Sequence, residues 1–134
     1  MGKGITMAIS ALAATGIPVS AVPVPVMCTA SGGKVVALSD AEACARFITA
    51  LGTAMRQATT ISAIRPTDGY AVELRFLPQG IASAKVIRLR RGRAQEMPPF
   101  QLAVSDRKML SSDIDKLAGD AARGIARLAA PEGR

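Results

Sequence analysis

The stretch YAVELRFLPQGIASAKVIRLRR, residues 70–91, decides the fold class. Apolar and charged residues alternate along residues 70–77, which is typical of a β-strand with one face in a core and one in water. Pro78-Gln79-Gly80 indicates a turn, and the alternation then resumes with Ile87 and Leu89 on one face and Arg88 and Arg90 on the other. We therefore predict two sequential strands of a sheet, with these two arginines in solvent.

A helix is predicted before this stretch. Ser39-Asp40-Ala41-Glu42 has the spacing of a capping box, in which the serine hydroxyl and the glutamate carboxylate satisfy exposed backbone donors at a helix start. Apolar residues follow at steps of three and four, as on the buried face of an amphipathic helix: Cys44, Phe47, Ile48, Leu51 and Met55.

A second helix is predicted after it, starting at Ser111 or Ser112. Asp113 and Asp115 would lie in its first turn, where they favour the positive end of the helix dipole. Gly119 and Gly124 weaken a helix by about 1 kcal/mol each relative to alanine, unless they allow close packing on the sheet. Its buried stripe consists of small and aliphatic residues: Ile114, Leu117, Ala118, Ala121, Ile125 and Leu128.

Shorter strand patterns complete the prediction. Residues 34–38 are expected to be a strand, and a hairpin between them and residues 24–28 is left open. Asp68-Gly69 carries a hairpin signal that would join residues 59–65 to the strand at residue 70. Residues 100–104 repeat the strand pattern. The order of elements predicts an α+β fold, with a small antiparallel sheet of about four strands and two helices packed on one face.

Residues 1–21 follow the pattern of a cleavable signal peptide. Lys3 supplies the positive start, residues 5–15 supply an apolar run, and Val19-Ser20-Ala21 supplies the small residues that signal peptidase accepts. We predict cleavage after Ala21 and a periplasmic or secreted protein, with no stable transmembrane span after cleavage. Two alternatives stay open, an uncleaved membrane anchor and a segment packed into the domain.

The rest of the chain has room for one domain, because a single core is normally built from roughly 100–200 residues. We predict a Pro/Gly-rich linker and turn over residues 22–33 and a single α+β domain over residues 34–130. Residues 131–134 are predicted to be a disordered tail.

Cys28 and Cys44 are the two cysteines of the chain. In an exported protein such a pair is typical of a disulfide, which here would close a loop of about 16 residues and stabilise the fold by about 3 kcal/mol. Two free buried thiols are the alternative, because free cysteine also behaves as a small hydrophobic residue.

Histidine is absent, which excludes Ser-His-Asp and Cys-His mechanisms and removes the commonest metal ligand. Gly32-Gly33-Lys34 does not form a phosphate loop, because the first glycine of that motif is missing and Val35 stands where serine or threonine is required. We predict no catalytic residue, no metal site and no cofactor.

The net charge of +7 favours anionic partners. The densest run of positive charge, and the predicted site of partner binding, consists of Lys85, Arg88, Arg90, Arg91 and Arg93. Arginine presents a planar fork of donors to an oxyanion. The alternative is a solvated strand face whose charges discourage aggregation. Nucleic acid is not the expected partner, because base stacking needs exposed aromatic side chains and this chain has few aromatics.

These observations predict an exported binding module of unknown ligand that contacts an anionic envelope component or a protein partner through its arginine-rich strand. Two other classes of function stay open. One is a structural or assembly subunit that pairs a sheet edge with a partner strand. The other is a minor hydrolase that uses carboxylates or Ser105.

Overall fold

The computed structural model describes residues 22–129, so the predicted signal peptide (1–21) and the predicted tail (131–134) lie outside the described residues. The described residues form an α+β fold, which confirms the predicted class. Neither helix within residues 22–129 is long and apolar enough to cross a membrane. The elements in chain order are β1 (Val24–Ser31), α1 (Asp40–Met55), β2 (Thr59–Ile61), β3 (Gly69–Leu77), β4 (Ile81–Arg90), β5 (Arg93–Glu96), β6 (Phe100–Ala103) and α2 (Ser112–Ala129).

All six strands belong to one mixed sheet. Its order is β2-β1-β3-β4-β5, and β6 pairs with the other half of β4. β1 runs parallel to β2 and to β3, whereas the remaining pairs are antiparallel. The predicted sheet of about four antiparallel strands is therefore only partly right. The difference arises because α1 carries the chain back over the sheet, so that the strands after it enter in the same direction as β1.

The strands predicted at residues 70–91 are present as β3 and β4. Their antiparallel register runs without a break from Gly69 opposite Leu89 to Leu77 opposite Ile81. On the side that faces the helices, β3 contributes large residues and β4 contributes small ones, so that both helices can approach the sheet closely. These residues are Tyr70, Val72, Leu74 and Phe76 on β3 and Ala82, Ala84 and Val86 on β4.

Most of residues 22–33, predicted as a linker and turn with a strand at residues 24–28 left open, form β1, which lies inside the sheet between β2 and β3. Proline is tolerated here, since Pro25 lies near the start of β1, before the first residue that pairs with β3, Val26. Residues 34–38 are not the predicted strand. Gly33–Val36 form a 3-10 helix that places Val36 in the core.

The hairpin predicted from Asp68-Gly69 is also wrong. β2 is only three residues long and pairs in parallel with β1, not with β3. Asp68 instead makes a long-range contact, in which its Oδ1 accepts a hydrogen bond of 3.0 Å from the backbone N–H of Arg91. The residue types of a tight turn are present, but they stabilise a turn elsewhere in the chain.

Both predicted helices are confirmed, and they share one core with the same face of the sheet. α1 begins with the predicted capping box, in which the Ser39 hydroxyl accepts from the Glu42 N–H and the Glu42 carboxylate accepts from the Ser39 N–H. α2 begins at Ser112 with Asp113 and Asp115 in its first turn. Phe47, Leu51 and Leu117 are completely buried between the layers.

The predicted disulfide is present and joins the two layers of the fold. Cys28 on β1 is bonded to Cys44 on α1, with 5.8 Å between their Cα atoms. The bond therefore ties an interior strand of the sheet directly to the helix that covers it.

The two glycines of α2 have different surroundings, which yields a matched pair of substitutions. A Cβ at Gly124 would overlap the ring of Phe100, whereas a Cβ at Gly119 would meet only the Arg123 guanidinium at 3.7 Å. We expect Gly119→Ala to raise the free energy of unfolding by about 1 kcal/mol, the difference in helix propensity. We expect Gly124→Ala to lower it by about 1–3 kcal/mol, because the Phe100 ring must move. Urea unfolding measures both, and stabilisation by Gly124→Ala would contradict the close packing.

Candidate functional site

The structure divides the predicted basic residues between the two faces of the sheet. Lys85 lies opposite Glu73 on the face away from the helices. Arg88 lies opposite Tyr70, on the face that the helices cover. Arg90 shares that face with Arg88 because side chains two residues apart on a strand point the same way. Ile87 and Leu89 thus share one face of β4 and the two arginines share the other, as predicted, with Leu89 buried and Arg90 exposed. The face that carries the arginines is, however, the one that the helices cover, and Arg88 is only partly exposed. The pairing of β4 with β3 decides which alternate residues of β4 face the helices. These are Ala82, Ala84 and Val86, which lie opposite core residues of β3.

A tight turn at Arg91-Gly92 fixes the end of β4. Arg91 and Gly92 both have left-handed backbone conformations, with φ of 53° and 78°, as a two-residue hairpin turn requires. The Arg91 N–H donates to Asp68, and the Gly92 N–H donates to the carbonyl of Thr67 at 2.9 Å. The turn places Arg93 directly opposite Arg90, so positive charge accumulates at this end of the sheet.

Arg88 and Arg90 line a cavity of about 700 Å³ at the open end of the core, which we call the end cavity. It lies between the end of α1, the second half of α2, the start of β1 and the paired ends of β3 and β4. Besides the two arginines, its lining includes Tyr70, Asp68, Val22–Pro25, Met55, Ala122, Ile125 and Ala126. Such a volume falls within the range of small-molecule sites in proteins, roughly 300–1,000 Å³.

Tyr70 is buried and lines the end cavity, with 9% of its surface exposed. Within residues 22–129 its hydroxyl makes no hydrogen bond, although buried tyrosine hydroxyls normally find a partner. Burial raises the pKa of the Tyr70 hydroxyl, and the positive charges of Arg88 and Arg90 act in the opposite direction. The hydroxyl therefore stays protonated at neutral pH and can donate a hydrogen bond to a ligand.

The two arginines of the end cavity are not paired with carboxylates in the described part of the chain. The three salt bridges there join Arg46 to Asp115, Arg107 to Asp113 and Arg123 to Asp120. The guanidinium donors of Arg88 and Arg90 are thus available to an external acceptor. Two guanidinium groups and a phenol around one cavity supply hydrogen-bond donors of the kind that an oxyanion accepts from, since arginine can donate two parallel hydrogen bonds to a carboxylate or phosphate.

The carboxylates considered for hydrolysis are scattered and engaged in structural contacts. Asp113 and Asp115 bind arginines, and Asp40 accepts from the Gly33 N–H at 2.9 Å. None of the four main clefts among residues 22–129 is lined by two carboxylates or by Ser105. The same residues contain no group of three side chains suited to hold a metal ion. A hydrolase therefore gains no support from the geometry.

Sheet-edge assembly also gains no specific support. Strands β2, β5 and β6 each have one paired strand within the described residues, and they are three, four and four residues long. Short edges are one of the ways in which proteins avoid edge-to-edge pairing. Arg93 lies on β5 and adds a charge to that edge.

Sequence reasoning found the arginines but missed Tyr70 as their neighbour. The signal was available in the strand pattern itself. Counting outward from Gln79 at the centre of the Pro78-Gln79-Gly80 turn pairs residue 70 with residue 88, which is the observed register. The cavity around this pair could not be predicted in the same way, because its walls also come from α1, α2 and β1.

Comparison with known proteins leaves the function open. No protein-family model matches the chain, and no curated protein matches it. A solved structure described as that of an uncharacterized protein is similar at a TM-score of 0.41 and 13% sequence identity, covering 80% of this chain and 90% of the other. A likeness at that level carries no inference about function, so the case rests on the site itself.

Proposed function

We propose that this protein is an exported binding module, periplasmic or secreted, which holds the anionic group of a ligand or partner between Arg88 and Arg90 beside Tyr70. The observation that carries the proposal is a cavity lined by two arginines without carboxylate partners and by a buried tyrosine without a hydrogen bond, all within the described residues. Lys85 lies on the other face of β4 and takes no part in the site.

Two observations support export. The first is the Cys28–Cys44 disulfide, since disulfides persist in oxidising compartments and are rare in the cytosol. The second is the sequence pattern of residues 1–21, with its positive start, apolar run and small residues before the proposed cleavage point after Ala21.

Binding is tested with acetate and inorganic phosphate at constant ionic strength, followed by NMR of the arginine side-chain N–H groups. We expect saturable shifts at Arg88 and Arg90 in the parent protein. Because charged hydrogen bonds carry the affinity, the double substitution Arg88→Gln and Arg90→Gln is expected to weaken binding at least about tenfold. Running both anions distinguishes a carboxylate site from a phosphate site.

The matched control is Lys85→Gln, which removes one positive charge from the same strand but on the opposite face. It tests whether binding depends on the end cavity or only on the overall positive charge. Equal loss of affinity in Lys85→Gln and in the single substitution Arg88→Gln would contradict the proposed site, and so would the absence of any saturable shift in the parent protein.

A further inference from the structure

The end cavity is much larger than the anionic group that its arginines can hold. A carboxylate or phosphate group occupies a small part of a cavity of about 700 Å³. Apart from Gln57 and Asp68, the rest of the space lies against side chains that carry no hydrogen-bonding group. A ligand that satisfied only Arg88, Arg90 and Tyr70 would leave this apolar space to water.

The apolar part of the lining comes from three separate elements. β1 contributes Val24 beside Pro23, α1 contributes Met55 at its last residue, and α2 contributes Ala122 and Ile125. Ala122 and Ile125 are also core residues, with 6% and 5% of their surfaces exposed. The cavity thus opens directly onto the hydrophobic core, and its apolar wall is continuous with it.

The arginines and most of the apolar side chains of the cavity belong to different elements. The arginines come from the end of β4, whereas the apolar side chains come mostly from the two helices and β1. This separation is complementary to a molecule with a charged head at one end and a hydrocarbon at the other. Most small-molecule sites have the same composition, with predominantly apolar walls and a few polar groups that orient the ligand.

We propose that the ligand of the end cavity is an amphipathic anion, with a carboxylate or phosphate head held by Arg88 and Arg90 and a linear aliphatic chain packed against Met55, Ala122 and Ile125. This inference rests on the proposed function and specifies its ligand class. Asp68 also lines the cavity, but its Oδ1 accepts from the backbone N–H of Arg91, so it serves the turn and restricts the head to the side of the two arginines.

The test compares acetate with butanoate, hexanoate and octanoate on the parent protein by calorimetry. Each methylene that becomes buried should strengthen binding about fourfold, so octanoate is expected to bind at least about 100-fold more tightly than acetate. Octyl phosphate against inorganic phosphate repeats the comparison for the other head group. Octylammonium has the same chain with the opposite charge and is expected not to bind.

A substitution in the apolar part of the cavity distinguishes binding of the aliphatic chain from binding of the charged head group. Ala126 is exposed and lines the end cavity, so Ala126→Trp fills the space for the chain without disturbing the core. It should reduce octanoate affinity towards the acetate affinity of the same variant, so that the gain from the longer chain is lost. Ala41→Trp is the matched control, since Ala41 is an exposed alanine at the opposite end of α1.

The outcomes distinguish the two proposals. Acetate binding that octanoate does not improve, or octanoate binding that Ala126→Trp leaves intact, would overturn the amphipathic ligand while the anion site stands. Equal binding of octanoate and octylammonium would also overturn the amphipathic anion, since the arginines would then not distinguish the charge of the head group. Failure of both acetate and octanoate to bind would overturn the anion site itself.

Discussion

Replacing both Cys28 and Cys44 with alanine is expected to lower the free energy of unfolding by about 3 kcal/mol, because the unfolded chain regains the freedom of a loop of about 16 residues. For a small domain this is a large share of the total, which is normally about 5–15 kcal/mol. Urea unfolding of the parent and the double variant at the same pH measures the difference.

The location of the bond makes the effect specific. Cys28 lies on β1 and Cys44 on α1. While the bond is intact, it holds these two segments together even in the unfolded chain. Reduction of the parent protein should reproduce the stability of the double variant, which serves as the control for lost side-chain packing. A double variant as stable as the oxidised parent would show that the disulfide contributes nothing to stability.

Replacing Asp113 with asparagine is expected to lower the free energy of unfolding at pH 7 by up to about 2 kcal/mol. Asp113 is buried, with 2% of its surface exposed, and its carboxylate accepts two hydrogen bonds from Arg107 at 2.7 and 2.9 Å and one from the Leu110 N–H at 2.8 Å. These contacts, the Arg107 hydrogen bonds first, lower the pKa of Asp113 from 3.8 to about 2. The figure is an upper value because the Arg107 side chain is 42% exposed and partly screened by water.

The lowered pKa of Asp113 also predicts how the stability of the fold changes with pH. Because the pKa of Asp113 is lower in the folded state than in the unfolded state, the stabilisation is complete above about pH 4 and is lost as the pH falls towards 2. The free energy of unfolding of Asp113→Asn should therefore fall less than that of the parent protein between about pH 4 and pH 2. Urea unfolding at a series of pH values measures it, and an unchanged decline would contradict the assignment.

Asp115→Asn is the matched control for this experiment. Asp115 also binds an arginine through both oxygens, at 2.9 and 3.0 Å from Arg46. Its side chain, however, is 46% exposed, and surface ion pairs contribute less than about 1 kcal/mol. At pH 7 the loss should be clearly smaller than for Asp113→Asn; equal losses would mean that burial of Asp113 is not the source of its effect.

Local sequence signals predicted the elements whose stability is local. The capping box at Ser39 and Glu42, the three- and four-residue spacing in α1 and the alternation along β3 and β4 each depend on neighbours within a few residues. Those elements are present with nearly the predicted bounds. The disulfide was also predictable, because two cysteines allow only one intramolecular pairing.

The incorrect predictions concern contacts between distant residues. Pro23 and Pro25 are typical of a linker, yet β1 pairs with β2 and β3, whose first residues lie 35 and 45 positions after Val24. Asp68-Gly69 is typical of a hairpin, yet Asp68 binds the backbone of Arg91. In both cases a tertiary contact outweighs a local preference, because a preference worth a fraction of a kilocalorie competes with the burial of a whole strand.

For the candidate site, the amino-acid sequence is enough to show that arginine is concentrated at the end of one strand and that histidine is absent. Which of those arginines share a face depends on the fold, because the side of the sheet to which a side chain points is set by the strand's register with its neighbour. The fold also brings Arg88 opposite Tyr70 at a cavity between α1, α2 and the sheet. Charge can be read from composition, but a binding site requires that charge and apolar surface be brought together from distant segments of the chain.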